Sequence, residues 1–189
     1  MTVTLRAAPA KTAALNTATV SATVLYTTVD SPLGEVLLAG VESATARDGV
    51  ALASLSLPGQ KGAAVVQDGW VRAPEAFAGV AGQLGAYFSG ASTGFDIEYA
   101  VGGTEFQRRV WAAVDGVPYG VTVTYGQIAA RVGASGAGVR AVGTAIGRNP
   151  LLVVRPCHRV IGADGALRGY AAGLEAKERL LGLEGALTA

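Results

Sequence analysis

A change in hydrophobic pattern at Gly102-Gly103 constrains this chain more than any other feature. Before the glycine pair the apolar residues fall in short strand-like runs. After it they recur every three or four residues, as helix faces do. Val24-Leu25-Tyr26-Thr27-Thr28-Val29 is rich in strand formers, Asp30-Ser31-Pro32-Leu33-Gly34 has turn chemistry, and Glu35 to Ala39 is mostly apolar again, so a β-hairpin is expected. Further strands are expected over 50–57 and 63–71, separated by Pro58-Gly59 and Gly62. A helix is expected over 74–88, where Phe77, Val80, Leu84 and Phe88 are spaced three to four apart. Residues 1–22 are Ala/Thr-rich without a period and read as a mobile arm. The chain therefore divides into an arm (1–22), a small α+β domain (23–101) and a helical domain (102–189).

The helical part opens on Thr104-Glu105-Phe106-Gln107, a capping box in which Thr104 caps the helix and Gln107 reaches back. Phe106, Val110, Trp111 and Val114 line one face of that helix, and Val117-Pro118-Tyr119-Gly120 stops it. A second helix is expected over 124–132. Residues 133–138 form a Gly/Ala/Ser turn, and Val139, Val142 and Ile146 set a third helix ending near Gly147 and Asn149-Pro150. Two short helices across a glycine turn match a helix-turn-helix, with Arg140 in the first turn of the second helix. Gly136-Ala137-Gly138-Val139-Arg140-Ala141 satisfies a dinucleotide fingerprint, but that motif must follow a strand and here follows a helix.

Composition narrows the chemistry. Half of the 189 residues are hydrophobic and 15% are charged, which supports a folded core rather than a disordered polyelectrolyte. One cysteine excludes an internal disulfide and any zinc site built on several thiolates, and one unpaired thiol points to the reducing cytoplasm. No signal peptide is evident, and the longest uncharged stretch, residues 76–95, is too rich in glycine for a membrane helix. The net charge of +1 is an average: residues 1–103 carry 5 basic and 8 acidic side chains, residues 104–189 carry 10 and 6. Between Arg131 and Arg168 six arginines face one acid, Asp164. That is either a solvated basic face or a phosphate-binding one.

The single cysteine and the single histidine are neighbours, in Arg155-Pro156-Cys157-His158-Arg159-Val160 after the apolar run Leu151-Leu152-Val153-Val154. A thiol becomes nucleophilic as thiolate, which a base or a positive charge favours. The alternative is an inert buried cysteine beside a satisfied histidine. A final helix is expected over 174–187, burying Leu180, Leu181 and Leu187. Glu184 then falls on or beside the apolar stripe, where a carboxylate needs a partner. His158 can be that partner, giving a Cys–His–Glu relay; otherwise Glu184 sits on a fraying, solvated helix end.

The segment Pro156-Cys157-His158-Arg159-Val160, preceded by Gly147-Arg148-Asn149-Pro150 and followed by Gly169-Tyr170, resembles the active-site signature of the O6-alkylguanine-DNA alkyltransferases. The likeness runs from Thr104 to Glu184 through Phe106-Gln107, Val110-Trp111, Pro118-Tyr119-Gly120, Thr124-Tyr125-Gly126 and Val139-Arg140-Ala141-Val142-Gly143. It is looser at Ser31-Pro32-Leu33-Gly34, Gln83-Leu84 and Tyr87-Phe88. The resemblance implies a ribonuclease-H-like N-terminal domain and a winged-helix-like helix-turn-helix in the C-terminal one. It implies a single-turnover transfer of an alkyl group from O6-alkylguanine, and from O4-alkylthymine, in duplex DNA to Cys157. His158 would take the thiol proton through water, Glu184 would orient the imidazole, and Asn149 would tie the helix-turn-helix to the active-site turn. Tyr125, Tyr170 and Ala171 would meet the flipped nucleotide, Arg140 would fill the gap it leaves, and Val139, Ala141 and Gly143 would offer a small surface to the minor groove. No cofactor and no metal are implied, and the protein would act as a monomer.

Two departures stand out. Arg155 occupies a usually aliphatic position and would place a cation near the thiol or on the DNA face. Ala172 replaces a glycine and would narrow the pocket. Two other readings compete: a non-catalytic helix-turn-helix module that binds alkylated DNA, which Cys157 argues against, and a cysteine hydrolase, which would need turnover.

Overall fold

The computed structural model describes residues 23–187, so the expected arm over 1–22 lies outside the described residues. The N-terminal α/β domain is built on one sheet. Strands β1 (Val24–Val29), β2 (Val36–Glu42) and β3 (Val50–Ser56) pair antiparallel, and the short β4 (Val71–Arg72) lies parallel to β1, giving the order β3-β2-β1-β4. The β1–β2 hairpin closes as the turn residues dictate. Ser31 and Gly34 exchange backbone hydrogen bonds, and Gly34 takes a φ of 97° that other residues adopt only with strain. A single turn of 3-10 helix over Pro74–Phe77 leads into helix α1 (Ala78–Phe88). Phe77, Val80, Leu84 and Tyr87 join Leu25, Leu38, Leu52 and Leu55 of the sheet in one buried cluster. The strand expected over 63–71 is reduced to Val71–Arg72. Residues 63–70 have strand composition but pair with no strand among the described residues, and Ala64 N–H bonds the Ser56 side chain instead.

The helical C-terminal domain follows the expected order. Helices α2 (Glu105–Asp115), α3 (Tyr125–Arg131) and α4 (Gly138–Gly147) pack on one another, and a two-stranded parallel pair, β5 (Val123–Thr124) with β6 (Val160–Ile161), flanks them. Both α2 and α3 start in complete capping boxes, Thr104/Gln107 and Thr124/Gln127. Each such cap contributes about 1 kcal/mol. Trp111 of α2 donates its indole N–H to the Ala145 carbonyl of α4 at 2.9 Å. Helix α5 (Leu174–Leu183) is shorter than expected. Gly185, at φ 66°, ends it in a Schellman motif, with Gly185 N bonded to Gly182 O and Ala186 N to Leu181 O. Leu187 is therefore left at the surface, whereas Leu180 and Leu181 are buried as expected.

What positions the site is the outer edge of β3. Leu52 bonds the backbone of Glu98 and Ala100 in the inter-domain connection, while Leu55 N–H reaches Pro150 O at 2.9 Å and Leu55 O accepts from Leu152 N at 3.3 Å. The segment that carries Cys157 is thus stitched to the N-terminal sheet.

Candidate active site

From Leu151 to Val160 every residue is buried, and the path is tight. Val154 N–H bonds Leu152 O across Val153, whose φ is 68°. This γ-turn is the strained kind, doubly so for a β-branched residue. Pro156 (φ −79°, ψ 56°) closes an inverse γ-turn from Cys157 N to Arg155 O at 2.7 Å. Cys157, His158 and Arg159 then form one turn of 3-10 helix.

Consecutive side chains on that turn point to different surroundings. Cys157 faces a cavity of about 560 Å³ between the end of α4, Tyr125 of α3, the 169–171 segment and the 60–62 loop of the N-terminal domain. Its Sγ lies 3.2 Å from Asn149 Nδ2. The same amide nitrogen donates to the Leu151 and Arg155 carbonyls, and Asn149 Oδ1 accepts from Leu151 N. Asn149 therefore joins the end of α4 to the turn that carries Cys157. Burial pushes the Cys157 thiol above its ordinary pKa, and the Asn149 bond and the Lys177 charge pull the other way.

His158 points inward, with no exposed surface, and its Nε2 lies 2.8 Å from Glu184 Oε1. Glu184 receives far more than the one partner expected. Arg159 donates twice at 2.8 Å, Tyr87 Oη once at 2.5 Å and Gly120 N once at 3.2 Å. Gly120 has a φ of 72°, and a Cβ there would come within 3.0 Å of the Glu184 carbonyl. Burial alone would raise the Glu184 carboxyl, but the bonds from His158 and Arg159 hold it far below the usual carboxylate range. An ionised carboxylate only accepts, so Nε2 must carry the proton and Nδ1 the lone pair. Nδ1 is buried and has no protein partner among the described residues. Burial lowers the His158 pKa despite the Glu184 charge, which favours the neutral imidazole, and Arg159 supplies the counter-charge to the carboxylate.

The remaining expected residues divide into two sets. Tyr125, Gly143, Tyr170 and Ala171 line the cavity with Cys157 and Asn149. Tyr125 Oη donates to Arg168 O at 3.1 Å, Ala171 O accepts from Lys61 N at 2.8 Å, and the Tyr170 hydroxyl is buried without a hydrogen-bond partner among the described residues. Arg140 and Ala141 are exposed and Val139 half-buried on the first turn of α4, outside the cavity. The two departures fare differently. Arg155 does act on the thiol, its charge lowering the Cys157 pKa, but it lies on neither the cavity wall nor the exposed surface of α4. Its guanidinium pairs with Asp115 at 2.9 Å and lies over the rings of Trp111 and Tyr99, because the reverse side of the turn supplies a carboxylate and two aromatic faces. Ala172 packs against the core and does not line the cavity.

Tyr87, Arg159 and Lys177 were not anticipated at the site. Lys177 is fully buried and donates to the Val160 and Arg168 carbonyls at 2.5 and 2.9 Å, and burial brings its pKa down to about 8. Its signal was present: Leu174, Lys177, Leu180 and Leu181 share helical spacing, so a lysine stands on the apolar stripe of α5. No group of three or more His, Cys, Asp or Glu side chains that could hold a metal occurs among the described residues.

A buried cysteine held by an asparagine, backed by a histidine–carboxylate pair and set beside a helix-turn-helix, defines a DNA-associated cysteine acceptor. Residues 105–186 match the family model described as 6-O-methylguanine DNA methyltransferase, DNA binding domain. The methylated-DNA–protein-cysteine methyltransferase of Mycolicibacterium paratuberculosis is 53% identical over 159 residues, 84% of this chain and 91% of that protein. Its namesake from Methanosarcina acetivorans is 47% identical over 160 residues, 85% and 97% of the two chains. The crystal structure of Mycobacterium tuberculosis OGT in complex with DNA superposes with a TM-score of 0.76 at 46% identity, covering 85% of this chain and 92% of that one. The chain belongs to the methylated-DNA–protein-cysteine methyltransferase family.

Proposed function

We propose that this protein repairs alkylated DNA by direct reversal, moving the alkyl group of O6-alkylguanine, and of O4-alkylthymine, from a flipped nucleotide onto Cys157. The observation that carries the reading is the sulfur of the only cysteine facing a cavity of about 560 Å³ while the imidazole next to it is held by Glu184 in the tautomer whose Nδ1 has no partner among the described residues. In the transfer, the thiol proton passes through a water to His158 Nδ1, the S–C bond forms, and the C–O6 bond breaks in line with it. The bonding pair leaves with the guanine, which takes up a proton. Glu184 fixes the tautomer and stabilises the imidazolium, and Asn149 holds the sulfur against the cavity. Burial keeps the resting thiol protonated, so thiolate forms only as the imidazole accepts its proton.

An alkyl carbon inside a stacked duplex is out of reach, and extrusion of the nucleotide costs a few kcal/mol. Arg140, exposed on the first turn of α4, fills the gap in the stack, and Val139, Ala141 and Gly143 give that helix a low profile toward the minor groove. Tyr125, Tyr170 and Ala171 form the walls that receive the base. A Cys–His pair cannot cleave a thioether, so each molecule acts once. The protein works as a monomer without cofactor or metal. No helix among the described residues is long and apolar enough to cross a membrane. A lone acceptor thiol is kept usable by a reducing compartment, which supports the cytoplasm. We place the working boundaries at 1–22, 23–101 and 102–189.

The test is an intact-mass measurement after incubation with duplex carrying O6-methylguanine. One methyl group gained per molecule, on Cys157 and lost in Cys157→Ala, supports the reading; repeated turnover or an unchanged mass overturns it. Arg140→Ala should slow transfer from duplex by about tenfold or more while leaving transfer from free O6-benzylguanine within about twofold, since only the duplex step spends energy on unstacking. Equal losses on both substrates would exclude the stack-filling role.

A further inference from the structure

Among the described residues, four of the five hydrogen bonds that reach the Glu184 carboxylate come from the C-terminal domain, and the fifth does not. Tyr87 lies on α1, 97 residues earlier, and is completely buried. Its ring is edge-on to Tyr119, with centroids 6.1 Å apart, and tilted against Phe95 at 5.0 Å, so the hydroxyl has one direction to point. It points at Oε1, the oxygen also used by His158 Nε2 and by Arg159 Nη2. A carboxylate oxygen offers about two lone-pair directions. Three donors on one oxygen therefore share the same electron density, and strengthening one weakens the others.

We propose that Tyr87 is a positioning residue for the transfer: through Glu184 Oε1 the N-terminal domain sets how much of the carboxylate's negative charge His158 receives. The inference rests on the reading of His158 as the base. The groups that face the imidazole are Glu184, the Arg159 guanidinium, the Lys177 ammonium, the Tyr170 ring at 6.5 Å and Cys157 beside it. Arg159 and Lys177 oppose a charge on His158, and Glu184 favours it. Tyr87 belongs to neither set; it acts on Glu184. Burial, together with the bond to Glu184, raises its phenol far above the usual range, so it remains a neutral O–H donor at any working pH.

The chain has one histidine, so a single imidazole signal reports on the site without assignment. In Tyr87→Phe the density on Oε1 returns to the remaining donors and favours the imidazolium. The His158 midpoint, read by nitrogen-15 NMR of the imidazole, should rise by about half to one pH unit. The acid limb of transfer from free O6-benzylguanine should move up by the same amount. Replacing Tyr87 with 3,5-difluorotyrosine keeps the shape and strengthens the donor, and should move both midpoints down. It also covers the case in which Tyr87→Phe does not fold. Midpoints that superimpose on those of the unsubstituted protein, with only the melting temperature changed, would overturn the proposal. Absence of methyl transfer from O6-methylguanine duplex in the unsubstituted protein would strike the functional reading instead, and the imidazole titration would still decide the role of Tyr87.

Discussion

Arg155 and Arg159 stand two residues to either side of Cys157 and look like mirror images. Each is 6% exposed, each pairs with a carboxylate, and each lies over a tyrosine, Tyr99 for the first and Tyr119 for the second. The carboxylates differ. Asp115 receives one guanidinium and keeps 24% of its side chain exposed, and burial still raises it above its ordinary pKa despite Arg155. Glu184 is fully enclosed, takes donors from four residues, and is held far below its own. One pair shares its carboxylate with the His158 imidazole, the proposed base, and the other shares its carboxylate with no histidine. On the proposed function, one buried ion pair next to the nucleophile belongs to the chemistry and the other to the scaffold, and substitutions of the two carboxylates should tell them apart.

The largest expected effect falls on the Glu184 side. Glu184→Gln removes the charge that fixes the imidazole tautomer and should slow transfer from O6-benzylguanine by about 10²–10⁴-fold. It also leaves Arg159 buried without a counter-charge, a loss of about 3–5 kcal/mol. Single-turnover kinetics and thermal melting on the same sample would show both. If the rate fell less than threefold, the two arginine pairs would be equivalent and the distinction would fail.

Asp115→Asn should reverse the balance. Arg155 loses its partner at a partly exposed site, so stability should fall by about 1–3 kcal/mol, or roughly 2–4 °C in Tm for each of those. The transfer rate of the folded protein should stay within about threefold. A rate loss as large as that of Glu184→Gln would make Asp115 part of the chemistry.

Acid separates the pairs more finely. The folded Glu184 carboxyl sits below its unfolded value near 4.3, so its contribution is complete above that value and is lost as the pH falls through the folded one. Asp115 has the opposite sign: with a raised folded value, the folded state holds the proton longer, and stability from this group drops as the pH rises through that window. Melting curves from pH 6 to pH 3 should therefore flatten at the acid end in Glu184→Gln and steepen slightly in Asp115→Asn.

The sequence made one partner of Glu184 legible and hid the others. Its spacing from Leu180 and Leu181 put a carboxylate on an apolar stripe, and a lone histidine was the obvious mate. Tyr87 carried no such mark, because a tyrosine at helical spacing beside Leu84 satisfies the core pattern whether or not its hydroxyl has work. The partners of Arg155 were hidden because a charged residue beside a cysteine invites a local reading, while they lie 40 residues back at Asp115 and in the connection at Tyr99. Helix starts were readable from Thr104 and Gln107, since a capping box is a contact between near neighbours. The strand expected over 63–71 failed for the converse reason: a strand needs an edge to pair with, and composition does not reveal one.

The left-handed Val153 bears on how the protein responds to heat. A β-branched residue in that conformation stores about 1–3 kcal/mol, and it sits four residues before the acceptor, held there by buried neighbours, by the turn bond from Val154 to Leu152 and by Asn149. Strain of that size lowers the free energy of opening the turn relative to that of melting the domain. On warming, the acceptor turn should open first, so the temperature at which alkyl acceptance disappears should lie below the temperature at which helices α2 to α5 unfold. The expected consequence is a thermal ceiling on repair set at one backbone torsion: circular dichroism should still report a folded protein at a temperature where alkyl acceptance has gone.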